Sequence, residues 1–330
     1  MQFSKVFLIV SVLILFSIST YATVWTVDSN PGNHAAHFTT LQAAHDAAAD
    51  GDTLYISGFS GYYPDVIISK KLYIFGPGYF LNETDSTQAN TYAATLSIVR
   101  FDPGSENSVI AGCRLVAHIH TDSITIKRNY IYRDPYYAVE LENNASNITI
   151  IQNYINSNYD AIRMNGVHNN INISNNFITA GTTGHQCING TSNSTNIIVE
   201  NNILLGFITL YNAVISNNIY RDGTYTGNAS NMIVNNICNA TQFDTTGQNQ
   251  QNVVMSTVFV ASGTTDGQWQ IDPAGPAAGT GTFGTDIGMF GGVAPYIISG
   301  IPEIPTIYFF YGPSNASQTL QIQAKIKSRR

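Results

Sequence analysis

The sequence predicts an all-β chain wound into a right-handed parallel β-helix, a solenoid with a short N-terminal capping helix and a C-terminal strand pair. Three observations carry this expectation. The first is an internal repeat. Ile124-Thr-Ile-Lys-Arg-Asn-Tyr-Ile131 returns as Ile148-Thr-Ile-Ile-Gln-Asn-Tyr-Ile155 and as Ile171-Asn-Ile-Ser-Asn-Asn-Phe-Ile178. It continues as Ile197-Ile-Val-Glu-Asn-Asn-Ile-Leu204, Ala213-Val-Ile-Ser-Asn-Asn-Ile-Tyr220 and Asn231-Met-Ile-Val-Asn-Asn-Ile-Cys238. A unit of this size cannot bury its own apolar face, so stacked neighbours must cover it. The second is the composition of each copy: a short β-branched strand with alternating inward and outward positions, then an Asn, then a second apolar strand. The aligned residues are Asn129, Asn153, Asn176, Asn202, Asn218 and Asn236. Asn tolerates the left-handed backbone of a sharp corner, and stacked amides can bond to the rungs above and below as an asparagine ladder. The third is the uneven spacing of the copies, which suits a coil of rungs about 4.8 Å apart with loops of variable length. An antiparallel sandwich would put hairpin signals such as Asn-Gly between the strands. Asn165-Gly166 and Asn189-Gly190 lie away from the repeat corners.

The elements run in order along the chain. Residues 1–22 read as a secretory signal: Lys5 supplies the positive end, Val6 to Ile18 the apolar run, and Thr20-Tyr21-Ala22 the cleavage site. That run is short for a membrane span, so the expected mature chain has no integral membrane segment and is secreted or held at the cell surface. Residues 23–300 form the solenoid. Its cap is a helix over 39–49, started by Thr, with Leu41, Ala44, Ala47 and Ala48 on one face. Asp50 to Ile56 turns into the first strand, and Lys71 to Gly78 makes a second strand and turn. Residues 80–95 carry no strand pattern and read as an exposed loop, and weaker copies of the repeat lie around Ile110 and Val253. Residues 263–292, rich in Gly, Ala and Thr, read as a loop and a closing strand. The tail, 301–330, has strand-like runs at Thr306 to Tyr311 and Thr319 to Ile326, expected to pair as a hairpin on or beside the coil.

Composition excludes several classes. Of 330 residues, 44% are hydrophobic, too many for a disordered chain, and only 11% are charged. The net charge of −7 and the lack of a basic stripe argue against nucleic acid as a partner. Cys113, Cys187 and Cys238 match no zinc spacing and sit in apolar strand-like runs, as buried small hydrophobes do. No cofactor is implied.

Ala47-Ala-Ala-Asp-Gly-Asp-Thr-Leu-Tyr-Ile56, the Asn-Asn-x-Ile corners, Asp160-Ala-Ile-Arg-Met-Asn165 and Asp272-Pro-Ala with Gly284-Thr-Asp-Ile-Gly-Met-Phe-Gly-Gly292 resemble the pectin-lyase-like right-handed parallel β-helix repeat proteins of the exported bacterial type. The resemblance covers roughly residues 23–300 and implies the fold. It implies no single activity, because that group holds pectate, pectin and alginate lyases, polygalacturonases, epimerases and surface proteins. The Asn-Thr-Asp, Asp-Asp, Gly-His-Gly and Arg-Ile-Lys motifs of polygalacturonases and the Trp-Ile-Asp-His of pectate lyases are missing, so no catalytic residue carries over.

The densest titratable patch follows from the repeat alignment. Aligning the repeats from the corner asparagines pairs Tyr137-Ala-Val-Glu140 with Asp160-Ala-Ile-Arg163 and Gln186-Cys-Ile-Asn189, which puts Glu140, Arg163 and Asn189 on one outward ladder and Tyr137, Asp160 and Gln186 on a second, with His185 adjacent. Glu140, Asp160, Arg163 and His185 are the candidate catalytic residues. Two carboxylates at a set separation serve hydrolysis, and Arg163 with Tyr137 or His185 as base serves a lyase. Tyr132, Tyr136, Tyr137, Tyr159 and Arg133 are the candidate ligand-binding residues, as rings that stack on sugars and a cation beside them. The competing account makes Glu140 and Arg163 an ordinary surface ion pair. His118, His120 and Asp122 alternate on one strand face; without a fourth ligand they read as a polar face, and no metal site is assigned. Together these features point to an exported module that binds a polysaccharide or cell-surface glycan or builds a surface layer without catalysis. The alternative is a polysaccharide lyase or glycoside hydrolase using the same patch.

Overall fold

The computed structural model describes residues 22–31, 35–84, 89–133, 136–181, 184–311 and 323–327. The signal-sequence reading falls, apart from Ala22, outside the described residues. The strands of the coil pair in parallel and wind as a right-handed β-helix, the hand that connections between parallel strands adopt. Each full turn contributes a strand to three successive faces. The first face is a 10-stranded sheet running from Val24–Val27 and Thr53–Ile56 through Thr125–Lys127, Ile148–Ile151 and Asn169–Ser174 to Met232–Val234. The second and third faces belong to one 14-stranded sheet, because Ala94–Phe101 and Cys113–Ile119 are long enough to run across both. Tyr130–Arg133, Tyr154–Ser157 and Phe177–Thr179 lie on the second face; Val139–Leu141, Ile162–Met164 and Gln186–Asn189 lie on the third.

Like stacks on like inside the coil. Ile126, Ile150, Ile173, Val199 and Ile215 are in register on the first face, and Ile131, Ile155, Ile178 and Leu204 on the second. All are fully buried. The three cysteines are buried free thiols in the same interior.

The corner between the first and second faces divides two jobs between two residues. The left-handed position is the residue before the aligned Asn: Arg128, Gln152, Asn175, Asn201, Asn217 and Asn235 all have φ between 53° and 58°. This corrects the expectation that the aligned asparagines themselves turn left-handed. Those asparagines are fully buried and act through their side chains. Asn153 Oδ1 accepts the main-chain N–H of Asn129 at 2.9 Å, while Asn153 Nδ2 donates to Ile126 O at 2.8 Å and Ile151 O at 3.0 Å. The same pattern repeats from Cys113, whose N–H is taken by Asn129, down to Asn236, whose N–H is taken by Asn249. A buried polar corner is thus satisfied rung by rung.

The ends are plugged differently. At the N-terminus the helix Leu41–Ala47 is capped by Thr40, whose Oγ1 accepts from Ala43 N at 3.2 Å. Leu41, Ala44, His45 and Ala48 face inward, and Ala47 is exposed, contrary to expectation. The buried stripe follows the i, i+3, i+4, i+7 phase, from which Ala47 falls out. His45 is held there by Ser69 N, which donates to its Nε2 at 3.1 Å. At the C-terminal end Phe243 closes the core against Tyr220 and Tyr225.

Two further expectations change. The expected exposed loop over 80–95 is only partly exposed: Asn82, Glu83 and residues 89–92 are, but Leu81 is buried, Phe80 packs edge-on against Tyr154, and a strand begins at Ala94. Residues 263–292 contain turns and short 3-10 helices and no closing strand. Together with residues 293–303 they form a strap that runs back along the outside of the coil. The side chains of the left-handed corner residues hold it. Asn217 Oδ1 accepts from Thr282 N, Asn175 Nδ2 donates to Met289 O and Gly291 O, and Gln152 Nε2 donates to Ala294 O and Pro295 O. Arg128 donates to Ile301 O and Glu303 Oε1. Beneath it Tyr154, Phe177, Ile203, Ile219 and Ile237 form an outer apolar row covered by Val258, Ile287, Met289 and Tyr296. In the tail, Thr306–Tyr311 pairs antiparallel with Gln323–Lys327; the rest of the second expected run lies outside the described residues.

Candidate functional site

The register of the third face brings chemistry together because residues one rung apart stand side by side. Arg100 pairs with His118, His118 with Glu140, Glu140 with Arg163, Arg163 with Asn189 and Asn189 with Thr209. Arg163 lies across the Tyr137 ring, 4.3 Å from its centroid, donates to the Tyr137 hydroxyl, and stands 3.9 Å from Glu140 Oε1. Glu140 is almost fully buried. That burial, reinforced by Glu142 and opposed by Arg163, raises its carboxyl above the usual range.

Asp160 sits on the adjacent ladder. Its Oδ1 accepts from Gln186 N at 2.8 Å and its Oδ2 from Asn189 Nδ2 at 2.8 Å, and His185 Nδ1 is 3.7 Å away. Tyr137, Tyr159 and His185 precede the third-face strand in three successive rungs. Their rings form a row, with centroids 5.2 Å and 4.1 Å apart, all half-buried. Tyr137, Glu140, Tyr159, Asp160, Arg163, Gln186 and His185 therefore form one connected cluster.

Tyr132, Arg133 and Tyr136 stand apart from it. Arg133 lies over Tyr136 at 5.4 Å, and Arg114 lies over Tyr130 and Tyr132 at 5.3 Å and 5.7 Å. These residues sit where the second face turns into the third. There a groove of about 320 Å³ is lined by Tyr62, Ser97, Arg114, Tyr132 and Arg133.

Sequence reasoning missed the far end of the stripe. Arg100 binds Asp102 with two bonds of 2.9 Å and 2.8 Å, and His120 stands 3.4 Å from Asp102 and 3.1 Å from Glu142. His118 is held below the ordinary imidazole range, first by burial and then by His120. Asp122 is turned elsewhere, accepting from Ser146 N at 2.7 Å. Within the polar face read from His118 and His120, it is thus His120 that lies between the carboxylates of Asp102 and Glu142 from neighbouring rungs. Among the described residues no three His, Cys, Asp or Glu side chains converge as metal ligands. Nor is any described helix long and apolar enough to cross a membrane.

No protein-family model matches the chain. No curated protein matches it either. Among solved structures it is similar to the crystal structure of pectate lyase Pel9A, with 14% sequence identity and a TM-score of 0.45, over 83% of this chain and 97% of that one.

Proposed function

We propose that the chain is an exported, non-catalytic module, secreted or cell-surface, that holds a polysaccharide or surface glycan along the third face of the coil. The observation that supports this reading best is the row of Tyr137, Tyr159 and His185, one ring per rung, beside charges already satisfied within the protein. Rings spaced along the coil axis suit a chain of sugar rings laid over them. Both Asp160 oxygens are engaged, and Arg163 is pinned by Tyr137 and faces Glu140. Groups so engaged are held in place to orient a ligand laid over the rings.

A second reading, a polysaccharide lyase or glycoside hydrolase, is favoured by one observation. The raised carboxyl of Glu140 is the kind of group that serves as a general acid. One assay separates the two. The full chain is incubated with a panel of acidic and neutral polysaccharides, and both retention and polymer size are followed. Retention at unchanged polymer size supports the binding module. Shortening that is lost in Arg163→Ala and Asp160→Ala establishes the enzyme.

A further inference from the structure

We propose that the first face of the coil, beside the strap, is a docking surface for a second copy of this chain. This goes beyond the glycan reading and uses no residue of the third face.

A groove of about 410 Å³ runs between the first face and the edge of the strap. Its floor comes from the outward positions of the first-face strands, where Val214 stands beside Met232 and Ser216 beside Val234, one rung apart. Val214 and Met232 are exposed, Met232 by 57%. The strap wall carries Phe283 and Val293, both fully exposed. Among the described residues lining the groove, Glu200 is the only ionisable one, and the other polar groups are Asn, Ser and Thr. An apolar patch rimmed by uncharged polar groups and depleted of charge has the make-up of a protein–protein interface.

Phe283 adds strain to exposure. Its φ is 59°, in the left-handed region that a bulky residue rarely adopts. The turn around it is braced: Thr282 N and Oγ1 donate to Asn217 Oδ1 at 2.9 Å and 3.1 Å, and Gly281 N donates to Thr285 O at 2.8 Å. The fold therefore holds a strained turn whose tip presents a whole aromatic ring to water. Strain kept in place by surrounding bonds points to a use for the residue. A ring held on a braced turn also gives up little freedom when a partner covers it.

Knob and hollow select the partner. The ring stands on the rim of the groove, so both halves of a contact lie side by side on one surface. A two-fold axis passing between them sets each ring in the other copy's groove, the self-complementary arrangement of an isologous pair. An apolar cavity of about 150 Å³ takes a benzene ring, so this groove has room for the Phe283 ring with Val293 beside it. The net charge of −7 opposes pairing of two copies through most of their surface, and this charge-poor strip is where they can meet. A stable pair takes about 800 Å² from each partner. The ten strands of the first face, about 4.8 Å apart, run far enough to supply it together with the strap edge. The third face stays open in such a pair.

The test is sedimentation equilibrium of the full chain over a range of concentrations, beside Phe283→Gly and Met232→Asp. The wild type is expected to reach a two-chain mass. Phe283→Gly is expected to weaken pairing at least thirtyfold, the loss of one central ring. Glycine suits the positive φ, so this variant should remain folded, as thermal unfolding reads directly. Met232→Asp puts a carboxylate on the groove floor, where pairing would bury it without a partner, and should weaken the pair at least as much. A wild type that stays a single chain throughout the range overturns the inference. So does a pair that Phe283→Gly forms as tightly as the wild type, because the contact then lies elsewhere. A single chain that takes up the apolar dye anilinonaphthalene sulfonate, with uptake lost in Met232→Asp, also overturns it and assigns the groove to a small apolar ligand. Glycan retention by the third face is read separately and stands or falls apart from these outcomes.

Discussion

Replacing Asn153 by Ala removes one step of the buried corner and tests how the coil is held. Asn153 is fully buried. Its Oδ1 is the acceptor for Asn129 N–H, and its Nδ2 donates to Ile126 O and Ile151 O. After the change Ile151 O still accepts from Arg128 N, and Asn153 N still donates to Asn176 Oδ1. Asn129 N–H loses its acceptor in a site closed to water. One orphaned buried donor costs about 1–3 kcal/mol, and the lost bonds to the two carbonyls add about 1 kcal/mol more, so the expected loss is about 2–4 kcal/mol. Against a total stability on the order of 5–15 kcal/mol that is a large fraction. The assay is urea unfolding followed by circular dichroism, with Thr195→Ala as the comparison. Thr195 is exposed and, among the described residues, its hydroxyl is bonded only across the surface to Asn169, so its loss should fall within about 0.5 kcal/mol of wild type. An Asn153→Ala midpoint no lower than that of Thr195→Ala would refute the argument that side-chain amides, rather than packing alone, hold the corner.

Other outcomes follow from the strap and the interior. Lys127 and Arg128 hold the Glu303 carboxyl below its ordinary range. A depressed carboxyl stabilises the fold above its unfolded pKa of about 4.5 and loses that contribution as the pH falls through the lowered value. The unfolding midpoints of wild type and Glu303→Gln should therefore differ at neutral pH and converge in acid; a difference that grows in acid contradicts the pairing. Asp266 is fully buried and accepts from Ser299 N at 2.6 Å, Tyr296 Oη at 3.0 Å and Thr264 Oγ1 at 2.8 Å. Asp266→Ala should cost about 1–3 kcal/mol and speed proteolysis between residues 263 and 301, whereas unchanged cleavage there would show that the strap is held elsewhere. Burial pushes the thiols of Cys113, Cys187 and Cys238 up to about 12, so a disulfide reagent at pH 8 should label none of them until the chain unfolds.

The rungs were legible because each carries its own register mark. Aligning the segments that follow Asn129, Asn153 and Asn176 places Glu140, Arg163 and Asn189 beside one another, and the strand pairings have the same order. The same marks fail toward the N-terminus. There Gly112 takes the corner and the long strand Ala94–Phe101 has a register shift between Thr95 and Ile98, so nothing in the sequence aligns Arg100 with His118. The strap was illegible for a different reason. Asn175, Gln152 and Arg128 reach main-chain carbonyls more than a hundred residues away, and a carbonyl is the same group whatever the residue. The left-handed corner was assigned to the wrong member of each pair because Asn suits both a positive φ and a buried amide bond. Of the six aligned pairs, only those of Arg128 and Gln152, where the first member is not Asn, separate the two roles in the sequence. The groove at Arg114 and Arg133 needs two faces of the coil at once, which a one-dimensional repeat does not show.

The central claim is that the third face holds a polysaccharide over the rings of Tyr137, Tyr159 and His185 and leaves it intact. Hydrogen exchange of the full chain, with and without the best-retained polymer of the panel, tests it most directly. The account predicts slowed exchange at residues 136–141, 159–164 and 185–189, little change along the first face, and a polymer of unchanged length at the end of the run. Protection confined to the first face or to the strap, or a shortened polymer, would contradict it.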